Sequence, residues 1–294
     1  MEIVPAAALA VAPSRVSDFL ALTKPRITML VLLTAAVGYA VAGQGRFETG
    51  NFLLFLAGTG LLCGGASALN QYLERDADAR MVRTSRRPIP AGRVRPEEAL
   101  LFGLGICGAG FLVLATVNLL TLWLGAASVA SYVLAYTPLK RVTSLCTVVG
   151  AVPGALPPLM GWTAVRGSFG PAGWALCAIL FLWQLPHFLA IGWLYRDDYA
   201  RGGFPMLAVT DRDGGATGRQ MVLYATALLP VTLAAGILAS TGPGYLFGAL
   251  GLGLAFLACA AAFAWKRTAG AARRVFLASV LYLPVLLGLM VFDR

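Results

Sequence analysis

The sequence predicts an all-α, polytopic membrane protein, with nine transmembrane helices bundled around a central apolar cavity that opens to the cytoplasmic side. Three observations lead there. First, 59% of the residues are hydrophobic and only 12% charged, with a mean hydropathy of +0.77; a soluble domain is about half apolar and about a quarter charged. Second, the chain divides into nine apolar stretches, each near the ~20 residues a helix needs to cross a bilayer. Third, with a cytoplasmic N-terminus, twenty of the 23 lysines and arginines fall on one side, and only Arg46, Arg166 and Arg294 on the other. Positive charge gathers on the cytoplasmic side, so this split supports nine crossings with the N-terminus inside and the C-terminus outside. The net charge of +10 therefore marks topology and gives no reason to expect nucleic acid.

Residues 1–18 are rich in Ala, Val and Pro and read as a flexible segment without a signal or transit pattern. The spans follow at 27–43, 52–73, 98–118, 121–136 (short), 143–163, 172–194, 221–240, 244–265 and 275–292. No soluble second domain interrupts them, so residues 1–294 read as one membrane-embedded domain. The 34 glycines suit close helix packing in lipid. The five cysteines all fall inside spans without metal-ligand spacing, and read as small packing residues. A bacterial cell inner membrane fits this organisation.

Two loops on the same side concentrate the polar chemistry, 74–97 after the second span and 195–220 after the sixth. The first holds Glu74, Asp76 and Asp78 followed by Arg80, Arg83, Arg86 and Arg87; the second holds Asp197, Asp198 and Arg201. If the second span continues as a helix, Asn70, Glu74 and Asp78 stand at i, i+4 and i+8 on one face, while Asp76 points away. An amide oxygen and two carboxylates form a hard-oxygen surface suited to Mg²⁺, which takes one or two carboxylates together with substrate phosphates. The alternative is a set of solvated charges capping the helix. The arginines carry two readings as well, guanidinium forks for phosphate or topology signals alone. His187, the only histidine, lies beside Pro186 in the sixth span. On the residues alone it is either a hydrogen-bonded core residue or part of a pocket opened by the proline. No Gly-Lys-Ser/Thr phosphate loop is present to suggest an ATP-driven pump.

The motif Asn70-x3-Glu74-x-Asp76-x-Asp78-x2-Met81-x-Arg83-Thr84-x2-Arg87-Pro88 resembles the first aspartate-rich motif of the UbiA-type intramembrane prenyltransferases. The stretches Thr23-Lys24-Pro25-Arg26, Tyr136-Thr137-Pro138-Leu139-Lys140-Arg141, Trp183-Gln184-x-Pro186-His187-Phe188 and Asp197-Asp198-Tyr199 add to it and resemble the branch that farnesylates haem. Two departures stand out: Glu74 occupies a position that is often aspartate, and Arg201 and Gly202 replace a second-motif carboxylate. The resemblance implies farnesyl diphosphate and haem B as substrates and Mg²⁺ as cofactor. It implies metal ligation by Asn70, Glu74, Asp78, Asp197 and Asp198, and phosphate binding by Lys24, Arg26, Arg83, Arg87, Lys140, Arg141 and Arg201. It also implies Asp198 and His187 in catalysis, His187 as a ligand of haem iron or a propionate, and Tyr136, Trp162 or Trp183 facing an allylic cation. Haem A synthase or a second copy of the chain are its candidate partners. A sister enzyme acting on an aromatic or quinone precursor, a secondary transporter and a haem chaperone are the competing readings. The transporter is disfavoured because the acids sit at helix ends and not at the midplane.

Overall fold

The computed structural model describes residues 14–293, and every regular element among them is helical. Residues 1–13 of the N-terminal segment lie outside the described residues. Its remainder departs from expectation, because Arg15–Leu22 already forms a helix, α1, capped by the Ser14 side chain. The spans follow as α2 (Pro25–Gly43), α3 (Thr49–Arg80), α4 (Pro96–Val117), α5 (Leu119–Leu139), α6 (Cys146–Arg166) and α7 (Pro171–Leu194). The short α8 (Arg196–Gly202) and α9 (Leu207–Thr210) lead to α10 (Gly215–Leu238), α11 (Pro243–Lys266) and α12 (Ala269–Phe292). Among the described residues nine helices are long and apolar enough to cross a membrane.

Prolines at the first turns of α2, α4, α7 and α11 place helix starts where a missing N–H leaves no bond unmade. Close packing then comes from small residues. α3 lies along α4, where a Cβ on Gly65 would meet the Gly103 carbonyl at 2.8 Å. α2 lies along α6, where a Cβ on Gly161 would collide with the Ala35 carbonyl and the Tyr39 backbone nitrogen. With no apolar driving force between helices in lipid, such backbone approach supplies the contact. The largest cluster of buried apolar residues joins α6, α7 and α9–α12 with Val37 and Val41 of α2, and a second lies among α2–α6.

Two features position the site. α3 has 32 residues, which at 1.5 Å per residue makes about 48 Å. It outruns the ~30 Å hydrocarbon core, so its last turns, Asn70 to Asp78, stand at the edge of the bundle. The second is in α5. It runs as α-helix to Ala130, then widens to a π-helix over Ser131–Tyr136 before closing at Leu139. This wider turn, a feature that recurs at functional sites, aims Tyr132 and Tyr136 at the same end of the bundle.

Candidate active site

A cavity of about 330 Å³ runs between α2, α3, α5, α6 and α7. Thr59 and Asp78 both line it, so its α3 wall is about 28 Å long at helical rise. Val31, Leu62, Val129 and Met160 make the inner end apolar, and Lys24, Asn70, Glu74, Asp78, Arg83, Arg87 and Lys140 make the mouth polar. Four cations face two carboxylates there, an excess of positive charge suited to an anion.

The helical spacing of the motif holds. Asn70, Glu74 and Asp78 are 2%, 2% and 0% exposed and share the cavity wall, whereas Asp76 is turned outward, 3.8 Å from Arg75. Each residue of the set meets a cation. Lys140 Nζ donates to both Glu74 oxygens at 2.9 and 3.1 Å. Arg87 donates to Asp78 Oδ2 at 2.6 Å. Lys24 donates to Asn70 Oδ1 at 3.0 Å, and the Asn70 amide donates to the Thr137 hydroxyl. Lys24 stands between α1 and α2 with φ +48, a left-handed conformation that a non-glycine residue holds only against strain. Burial, and then the Arg87 guanidinium, push the Lys24 ammonium down to about 7, against the opposing pull of Glu74.

The second loop has partners of its own. Among the described residues no three His, Cys, Asp or Glu side chains group closely enough to hold a metal, so Asp197 and Asp198 do not join Glu74 and Asp78 in one cluster. Asp198 accepts from the backbone N–H of Val82 at 2.9 Å and of Arg83 at 3.1 Å, and from Arg201 at 2.5 Å. Burial would raise its carboxyl, but Arg201 and those two N–H groups outweigh it and hold it below its ordinary range. In this structure Asp198 therefore ties α8 to the turn after α3. Asp197 is exposed, 3.9 Å from Arg196.

The cations sort in the same way. Lys24, Arg83, Arg87 and Lys140 line the cavity. Arg80 instead donates to the Gly202 carbonyl, Arg141 to the Leu73 carbonyl and Arg201 to Asp198, while Arg26 and Arg86 are exposed and outside the lining. Of the three aromatic faces, only Tyr136 borders the cavity. Trp162 packs on Gly170 and Gly173, and Trp183 stacks on His187. Tyr132, not singled out from the sequence, stacks on Tyr136 with centroids 5.5 Å apart and lines the cavity beside it. The π turn that places it has no signature in residue spacing.

His187 faces away from the acid-lined mouth. On α7, Gln184 and Phe188 line the cavity, but His187 turns toward α12, where its Nδ1 lies 2.7 Å from Ser279 Oγ.

Asp78 Oδ1 is buried with no hydrogen-bond partner among the described residues. A bare carboxylate oxygen in a buried site is costly unless something positive meets it. With the two Glu74 oxygens and Asn70 Oδ1 on the same face, the donor set fits a hard divalent cation bound together with an anion.

Known proteins share the sequence and the fold. Residues 31–283 match the UbiA prenyltransferase family. A protoheme IX farnesyltransferase of Solibacter usitatus is 47% identical over 290 residues, covering 94% of this chain and 98% of its own. Those of Salinibacter ruber and Myxococcus xanthus are each 44% identical, covering 94% and 96% of this chain and 98% and 96% of their own. Among solved structures, a digeranylgeranylglyceryl phosphate synthase superposes with a TM-score of 0.80 at 14% identity, over 95% of this chain and 98% of that one. A UbiA homologue from Archaeoglobus fulgidus bound to GPP and Mg²⁺ gives 0.67 at 14% identity, over 93% and 99%. At these identities the structures speak for the fold.

Proposed function

The chain belongs to the UbiA prenyltransferase family, and from that premise we propose that it transfers a farnesyl group from farnesyl diphosphate to a vinyl group of haem B, with addition of water, giving haem O. The observation that carries this reading is the cavity itself, a cation-rich mouth with two buried carboxylates that continues into an apolar groove. That shape takes a diphosphate at one end and an isoprenoid tail at the other. The relatives' shared name supplies the acceptor.

Asn70, Glu74 and Asp78 would hold Mg²⁺, which when bound supplies charge neutralisation to the leaving diphosphate. The chain's own groups do the rest. Lys140 and Arg87, paired with Glu74 and Asp78 in this structure, turn to the phosphate oxygens, and Arg83 joins them. Once turned to the phosphate, these cations stabilise the charge that develops as the C–O bond breaks. The bond's electron pair leaves with the diphosphate. The allylic carbon then accepts the π electrons of the vinyl group through its terminal carbon, forming the C–C bond. The cation left beside the porphyrin ring takes a water molecule and gives up a proton. Tyr132 and Tyr136 present ring faces to the allylic cation. The apolar wall of Val31, Leu62, Val129 and Met160 keeps water from it earlier. On this reading His187, on the α12 side of α7, is the residue that would hold the haem iron. The protein lies in a bacterial inner membrane, N-terminus in and C-terminus out, as its charge distribution supports.

A competition assay separates this reading from the sister one. Haem B and an aromatic acid or quinone precursor are offered together with farnesyl diphosphate, and products are identified by mass. Farnesylated haem is expected; prenylation of the aromatic acceptor alone would replace the acceptor and keep the diphosphate site.

A further inference from the structure

His187 sits in a clamp that its role as an iron ligand does not by itself require. Its ring stacks between Trp183 and Phe276, centroids 5.2 Å from each and planes inclined by 21° and 29°. Ser279, fully buried on α12, ties the three together. Its carbonyl accepts from Trp183 Nε1 at 2.9 Å, and its hydroxyl lies 2.7 Å from His187 Nδ1 and 2.6 Å from the Phe276 carbonyl.

The hydrogens in this cluster can be assigned by counting. A serine hydroxyl has one proton, and a carbonyl oxygen can only accept. The shorter contact, to the Phe276 carbonyl at 2.6 Å, assigns the Ser279 proton there. The Ser279 oxygen is left as an acceptor, and the atom facing it, His187 Nδ1, must carry a hydrogen. A neutral imidazole has one N–H, so Nε2 is bare. No partner faces Nε2 among the described residues, and the residue is largely but not fully buried. At this depth in a membrane helix a bare ring nitrogen held in one plane is suited to a metal centre. Metal-ligating histidines are oriented by a partner on the other nitrogen, which fixes tautomer and plane.

We propose that Ser279 is a positioning residue for haem: by accepting the Nδ1–H of His187 it fixes the tautomer whose Nε2 lone pair binds the haem iron. The proposal rests on the reading of His187 as the iron ligand. It also extends the haem site to the last helix, beyond the motifs that resemble the family.

Because His187 is the only histidine, protein grown with ¹⁵N-histidine gives one pair of ring-nitrogen signals. In haem-free protein in lipid nanodiscs, a protonated Nδ1 and a bare Nε2 are expected. A protonated Nε2, or an averaged mixture, overturns the assignment without any activity measurement. Haem B titrations followed by the Soret band and the iron–nitrogen vibration then compare Ser279→Thr with Ser279→Val, two side chains of equal bulk. Threonine should keep wild-type affinity within about twofold, and valine should weaken it about tenfold or more, with KM for farnesyl diphosphate unchanged. Equal haem binding and equal spectra for both variants would remove Ser279 from the site. If both variants misfold, the wild-type ¹⁵N signals decide alone. His187→Ala separates the premise: wild-type spectra in that variant refute iron ligation by His187, whereas their loss alongside an unaffected valine variant refutes only the role of Ser279.

Discussion

Removing the Lys140 ammonium should destabilise the protein through Glu74 and not through lost packing. Lys140→Met keeps the aliphatic stem and deletes the charge. Glu74 is 2% exposed and both its oxygens lie within 3.1 Å of Nζ. Two unit charges about 3 Å apart interact by about 5–6 kcal/mol at an effective dielectric constant of 20. Stranding one partner of a buried pair costs about 3–5 kcal/mol, so the two scales agree. Glu74→Gln with Lys140→Met removes both charges, and the double variant should cost well under the sum of the singles, with a coupling of about 2 kcal/mol or more. Denaturant unfolding of the four proteins in one detergent measures it. Additive single costs, within about 0.5 kcal/mol, would show that the pair does not exist in the protein.

Tyr132→Leu should lower kcat about 2- to 30-fold, the span a cation–π contact can supply, with KM for farnesyl diphosphate unchanged; an equal loss in KM would make Tyr132 a binding residue only. Asp198→Asn should destabilise by about 1–3 kcal/mol at neutral pH by weakening the hydrogen bonds to Val82 and Arg83. The folded carboxyl titrates below its ordinary 3.8, so its stabilisation is present above that value and lost as pH falls through the lower folded value. The gap in thermal midpoint between wild type and variant should therefore hold from pH 7 to about 5 and then narrow, and a gap that widens in acid contradicts this tie. Gly161→Ala should cost about 1–3 kcal/mol because the blocking atoms are α2 backbone, while Gly105→Ala, with nothing within 4 Å, should be neutral or stabilising; equal midpoints for the two would refute close packing of α2 on α6.

The bundle was legible because hydropathy and basic-residue side are strong, independent signals. The nine expected spans match the nine helices to within a few residues at most ends, although α3 runs on to Arg80. The register of Asn70, Glu74 and Asp78 was legible for a different reason: three polar residues at fourfold spacing on one helix have only one face to share. What escaped was the facing of residues on helices apolar all round, where periodicity carries no direction. His187 and Trp183 on α7 could not be told from Gln184 and Phe188 until α12 was in place. The arginine run resolves by partners, with Arg83 and Arg87 in the cavity and Arg80 on the Gly202 carbonyl, and such pairings across distant loops leave no trace in local sequence. The partners of Asp198 were equally illegible, because the Val82 and Arg83 N–H groups reach it from the other loop.

The most direct test of the central claim is a reaction in H₂¹⁸O. Purified protein in nanodiscs is given haem B, farnesyl diphosphate and Mg²⁺, and the haem products are weighed by mass spectrometry. Haem B carrying one farnesyl group and one ¹⁸O-labelled hydroxyl is the expected product, absent when Glu74→Ala or Asp78→Ala replaces wild type. Farnesol with unchanged haem from protein that consumes the diphosphate, or full turnover by either variant, would contradict the account.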